Sequence, residues 1–152
     1  MSTISHISFH FLYPVHLKHR RHVKEMLCHI AKREKKGISH LNYVFCSDHY
    51  LLKMNEEYLN HSSLTDVITF DLSEEGEPLV SDVYISVQRV RENAALYHST
   101  IKQELLRVMV HGLLHLCGYN DKLSRDKKVM REKESMYLKM FSVPRETEHR
   151  SI

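Results

Sequence analysis

Apolar and polar positions alternate along the chain with two different periods. The stretch ISFHFLYP, within residues 4–14, reads as a first strand that Pro14 ends. In VKEMLCHIAKREKKG the period lengthens. Val23, Met26, Leu27, Ile30 and Ala31 form one stripe of an amphipathic helix, basic residues form the other face, and Gly37 is the expected stop. LNYVFC (41–46) is β-rich. Ser47 then suits the N-cap of a helix over DHYLLKMNEEYLN, with Leu51, Leu52 and Met54 facing inward. TDVITFDL (65–72) alternates, with Ile68, Phe70 and Leu72 on one face. A turn, SEEGEP, leads to VSDVYISV (80–87), with Val83, Ile85 and Val87 on one face, so the pair predicts a hairpin.

QRVRENAALYH is helical in pattern. STIKQELLRVMVHGLLHLCG is the longest periodic segment, opened by a Thr100/Gln103 capping box and closed by Gly118. A last helix is expected from about Ser124 to Phe141, with Val129, Met130, Tyr137 and Met140 facing in. These elements predict an α+β fold: a small mixed sheet of about four strands with packed helices. The expected layout is one domain over residues 1–143 and a loose polar tail over 144–152.

Composition adds limits. A chain of 152 residues with 42% apolar content can bury a core without staples. Cys28, Cys46 and Cys117 match no disulfide framework and no paired zinc knuckle, which points to reduced thiols and a cytoplasmic location. No segment has the long apolar run of a membrane span, and the N-terminus lacks the pattern of a signal peptide. Charge is unevenly placed. Residues 17–36 carry eight Lys/Arg against two Glu, a local +6, so the rest of the chain carries −3 of the total +3. That asymmetry fits either a polyanionic partner such as nucleic acid or a solvated helix face.

The chemistry concentrates in VMVHGLLHLCGYND, residues 108–121. On a helix His111 and His115 lie about 40° apart, on one face, at a spacing that suits one metal ion. Gly118 permits a left-handed turn, after which Asp121 can return toward the same point. Three protein ligands and one open position are the requirement of a catalytic metal. The competing reading is two histidines satisfied near a helix C-terminus. The frame overlays that of zinc peptidases, but their general base, a Glu after the first His, is replaced by Gly112, which argues against peptide hydrolysis.

HGLLHLCGYND resembles the signature of the YbeY family, as do TDVITF, SDVYIS and MNEEY in their order along residues 40–137. The resemblance implies a metal-dependent, single-strand-specific endoribonuclease acting in ribosomal RNA maturation and ribosome quality control. It also implies a metal site at the end of the long helix, held by His111, His115 and Asp121. The chain departs from the family pattern twice. Asp121 stands where the family has a third His, and Leu59 stands where it has an Arg thought to contact RNA. One zinc ion is the expected cofactor, with manganese or another divalent ion favoured more than at a three-His site because of the carboxylate. The catalytic group would then be a water held on the ion.

Arg20, Arg21, Lys24 and Arg107 are the expected RNA contacts; for Arg107 the other reading is a salt bridge to Glu104. The expected partners are ribosomal RNA, the small ribosomal subunit and other assembly factors, with no membrane. Two other functions fit the residues less fully: a non-catalytic assembly factor with a structural metal, and a metal hydrolase of another substrate. Asp66 and Asp82 either tie loops or orient a ligand His. His16, His19 and His22 form a basic ladder that reads as a solvated or RNA-facing patch.

Overall fold

The computed structural model describes residues 6–59 and 65–150; for Leu59 and for 142–150 it describes the backbone alone. The chain order is β1 (Ile7–Phe11), α1 (Arg20–Arg33), β2 (Ile38–Cys46), α2 (Asp48–Leu59), β3 (Val67–Asp71), β4 (Leu79–Ser86), α3 (Val87–Leu96), α4 (Ile101–Leu116) and α5 (Ser124–Arg150). The sheet order is β1-β2-β4-β3. β1 runs parallel to β2, pairing Ile7 with Leu41, and β2 runs parallel to β4, pairing Leu41 with Ser81. β3 is the antiparallel edge, pairing Ile68 with Tyr84, so the expected hairpin forms.

The period-2 pattern divides the sheet between two layers. Leu41, Tyr43, Phe45, Val83 and Ile85 face the large core, with α1, α3, α4 and α5. α2 covers the opposite face, where Leu51 packs with Cys46 and Ile68. The stripe on α1 is buried as its spacing requires: Val23, Met26, Leu27, Ile30 and Ala31. Its stop lies earlier than Gly37. Lys35 takes the left-handed position, at φ 63°, and the Lys36 amide donates back to the Ala31 carbonyl at 2.8 Å. Gly37 instead accepts from the Leu79 amide at 2.9 Å, which starts the β2–β4 pairing.

α4 sits at the centre. Leu105, Val108, Met109, Val110, Leu113 and Leu114 are all buried, because the sheet lies beneath the helix and other helices pack around it. The capping box is present in full, with the Thr100 hydroxyl accepting from the Gln103 amide at 3.0 Å. Gly112 sets the approach to the sheet. A Cβ there would lie 2.8 Å from Val83 Cγ1.

Two expectations for α5 are corrected. Its backbone continues to Arg150, past the end expected at Phe141. Met130 and Tyr137 face inward, but Val129 and Met140 are exposed, and Glu134 occupies the inner position between them. The 100° step explains this: residues 130, 134 and 137 share one face, and 129 and 140 lie roughly 80–100° off it. Leu72, expected to continue the face of Ile68 and Phe70, lies beyond the end of β3 and is 66% exposed.

Candidate functional site

The C-terminal half of α4, the end of α3 and the first turns of α5 enclose a cleft of about 290 Å³. Arg107 and His111 rise from α4, Asp66 from the start of β3, Asn93 and Tyr97 from α3 and its cap, and Asp121 from the loop after α4. Lys127, Met130, Arg131 and Glu134 complete it from α5.

The loop returns Asp121 as the sequence predicts. Gly118 adopts φ +109°, its amide donates to the His115 carbonyl at 3.0 Å, and the Tyr119 amide donates to the Leu114 carbonyl at 3.1 Å. Tyr119 then fastens the turn, because its hydroxyl donates to Glu34 at 2.8 Å. Tyr137 and Lys133 of α5 donate to the same carboxylate. Burial works against the charge on Glu34, but these three donors outweigh it and hold the carboxyl below its ordinary range.

His111 is the hinge of the site. Its Nδ1–H donates to Glu134 Oε2 at 2.6 Å, and its Nε2 lies 3.3 Å from Asp121 Oδ2. Glu134 is almost wholly buried and also accepts from Arg107 at 2.9 Å. Arg107 spends two further donors on the buried Glu104. The salt-bridge reading of Arg107 therefore holds, extended to a second carboxylate. Burial disfavours the Arg107 charge, and the two carboxylates more than restore it. The same opposition acts on His111: burial lowers its pKa, while Glu134 first, then Asp66 and Asp121, raise it to a net upward shift.

This geometry has a chemical consequence. With the Nδ1 proton given to Glu134, a neutral His111 presents a lone pair at Nε2 to a carboxylate oxygen. Two acceptors face each other, and either a proton or a cation must lie between them. Two donors of one tetrahedral ion, each about 2.0–2.1 Å from it, stand roughly 3.4 Å apart, so this pair suits two of its ligands. The Glu134 contact is of the kind that braces a histidine from its far nitrogen when the near one holds an ion. His115, one turn further on, is exposed. Among the described residues, no three His, Cys, Asp or Glu side chains are gathered closely enough to hold an ion.

Asp66 lies at the cleft and accepts from Asn93 Nδ2 at 3.4 Å. Asp82 does not approach the site: Asn42 donates to it at 3.0 Å, on the face away from α4. Arg20 and Lys24 stand over the rings of Phe11 and Phe9, at 4.5 and 5.3 Å from their centroids. Arg21 pairs with Glu25 at 3.5 Å on the exposed side of α1. The histidine ladder is broken by the helix start. His16 precedes α1, His19 is its N-cap, and His22 is hydrogen-bonded to the Phe141 carbonyl. The Leu59 side chain lies outside the described residues.

The periodicity of α5 pointed to Met130 and Tyr137 but passed over Glu134, although the carboxylate sits on the same stripe. Nothing in the local pattern marked Asn93 or Tyr97. Burial pushes the Cys46 and Cys117 thiols up to about 12, which disfavours the thiolate that a nucleophile needs. Among the described residues no helix is long and apolar enough to cross a membrane.

The family profile described as Endoribonuclease YbeY matches residues 13–142. A protein of that name from Cytophaga hutchinsonii is 51% identical over 124 residues, covering 82% of this chain and 87% of its own. Another of that name, from Flavobacterium psychrophilum, is 44% identical over 137 residues, covering 90% and 97%. The solution structure of TM1509 from Thermotoga maritima superposes with a TM-score of 0.58 at 32% identity, covering 85% of each chain.

Proposed function

The chain belongs to the YbeY endoribonuclease family, and we propose that it acts in ribosomal RNA maturation, in the cytoplasm, by cutting single-stranded RNA at the α4 cleft. The enzyme class follows from the family: a hydrolase of RNA phosphodiester bonds. A purely structural metal, or a substrate other than RNA, is not favoured by relatives named endoribonucleases.

The observation that carries the reading is the 3.3 Å approach of His111 Nε2 to Asp121 Oδ2 in a cleft. His111 and Asp121 would supply two ligands to one divalent ion, zinc or, with this carboxylate, manganese, and His115 would supply a third by turning in from its exposed position on the same helix. A bound divalent ion supplies Lewis acidity for activating water and countercharge for the scissile phosphate. The protein's own residues prepare the place. Glu134 fixes the ring of His111 with Nε2 toward the cleft. Arg107 bridges the two buried carboxylates behind it and offsets part of their mutual repulsion. Asp66 and Asp121 bring two carboxylates to the cleft beside His111, where a cation would enter. Arg20, Arg21 and Lys24 attract the RNA backbone from α1. The expected partners are the small ribosomal subunit and its assembly factors.

The test incubates purified protein with single-stranded ribosomal RNA fragments, with and without added zinc or manganese, beside His115→Ala. Metal-dependent cleavage that disappears in the variant is the expected result. Cleavage that survives in His115→Ala refutes the assigned site. Ribosome binding without cleavage in any metal would make the protein an assembly factor.

A further inference from the structure

The cleft has two unlike rims. α3 and α5 both pack on α4, so the end of α3 bounds the cleft on one side and α5 bounds it on the other. The α3 rim ends in Tyr97, the helix C-cap, whose side chain borders the cleft while 57% of the residue stays exposed. An aromatic ring left in water beside a cleft floored by His111 and Asp121 offers a flat apolar face where a substrate would lie. The α5 rim is cationic: Lys127 and Arg131, both exposed, line the cleft. Lys128 and Lys139 join them, beside the carboxylate of Glu132, along a second, open groove on α5. The spacing 127, 128, 131 places these charges on adjacent turns of one helix, so the cationic strip leads out of the cleft.

We propose that Tyr97 stacks the base next to the scissile phosphate, and that Lys127 and Arg131 hold the phosphates leaving along α5. The proposal rests on the endoribonuclease reading above. Ring stacking beside a basic groove is how proteins track single strands. A base held in a duplex cannot offer its face to Tyr97, so this residue is what discriminates against paired RNA. The cations of α5 meet a backbone of either kind and contribute affinity without that choice.

The test separates binding from cutting. A short labelled single-stranded RNA and a matched duplex are titrated by fluorescence anisotropy in chelator, so no cleavage occurs, against wild type, Tyr97→Ala, Tyr97→Phe and Lys127→Ala/Arg131→Ala. Loss of one stacked base predicts that Tyr97→Ala weakens single-strand binding roughly five- to hundredfold. Duplex binding stays at the wild-type level, and Tyr97→Phe, which keeps the ring, binds as wild type does. The α5 double variant weakens both ligands and flattens the salt dependence by roughly 0.7 per lost phosphate contact on the single strand. An unchanged melting temperature shows that each variant is folded; Tyr97→Phe preserves the packing of the ring in any case. The proposal is overturned if Tyr97→Ala binds the single strand normally, or if it loses duplex and single strand alike. Wild-type protein that cleaves RNA while Tyr97→Ala shows no binding defect sinks the stacking role and spares the enzyme. Wild type that neither binds nor cleaves RNA sinks both.

Discussion

Glu134 shows what one side chain decides. It is 2% exposed, and it holds His111 at 2.6 Å and Arg107 at 2.9 Å. Removing Glu134 leaves the Nδ1–H of His111 without its acceptor and Arg107 with Glu104 alone, and breaking a buried charged pair in this way typically costs about 3–5 kcal/mol. Glu134→Ala is therefore expected to lower unfolding free energy by about that amount in denaturant titrations. Metal affinity should fall roughly 10–100-fold, measured by competition with a chromogenic chelator, since the ring of His111 loses its brace. Glu134→Gln keeps an acceptor for Nδ1–H and should recover part of the affinity. A Glu134→Ala protein with wild-type stability and metal affinity would leave the network without the role assigned to it. The two histidines and Asp121 were visible in the sequence because their spacing is local. Glu134 was not, because its partner lies 23 residues away and only the packing of α5 on α4 joins them.

Between elements, the critical dimension is the gap between α4 and the sheet. Val83 Cγ1 stands 2.8 Å from where a Cβ on residue 112 would be, with Val67 and Thr69 methyls at 3.6 and 3.7 Å. Valine is stiff at χ1 and this one is fully buried, so it cannot swing aside. Gly112→Ala should then push α4 away from β3 and β4, at a cost of about 1–3 kcal/mol. The shift carries His111 with it, so cleavage should fall more than stability alone accounts for. Thermal melting together with single-turnover cleavage checks this, and a variant as stable and active as wild type would refute the tight contact. The same gap leaves no room at residue 112 for a side chain as long as a general-base Glu. The sequence showed the Gly and the missing base. The contact that leaves no room there belongs to the meeting of α4 with β4.

At the scale of the whole molecule, Glu34 ties three remote pieces together. It caps α1 and accepts from Tyr119 in the Asp121 loop and from Lys133 and Tyr137 on α5. Its carboxyl is held below the ordinary range in the folded state, so its contribution is present above the unfolded carboxyl's pKa, about 4.3, and is lost as pH falls through the folded value. Glu34→Gln should cost about 2 kcal/mol near neutral pH and progressively less below about pH 4. Denaturant unfolding across that range measures it, and a pH-independent deficit would refute the ionic contribution. By itself the sequence determined the element order, the inner stripe of α1, the capping box of α4, the β3–β4 hairpin and the return of Asp121. Each depends on groups a few residues apart, where 3.6- and 2-residue periods and a glycine's left-handed turn act locally. The tertiary structure decided the sheet order, the burial of Glu104 and Glu134 around Arg107, the inner face of α5, and the opposition of Tyr97 to Lys127 and Arg131 across one cleft. Those depend on which helices share α4 as a neighbour, a question that loop lengths and local periods do not answer, because burial and charge pairing are settled only when distant faces meet.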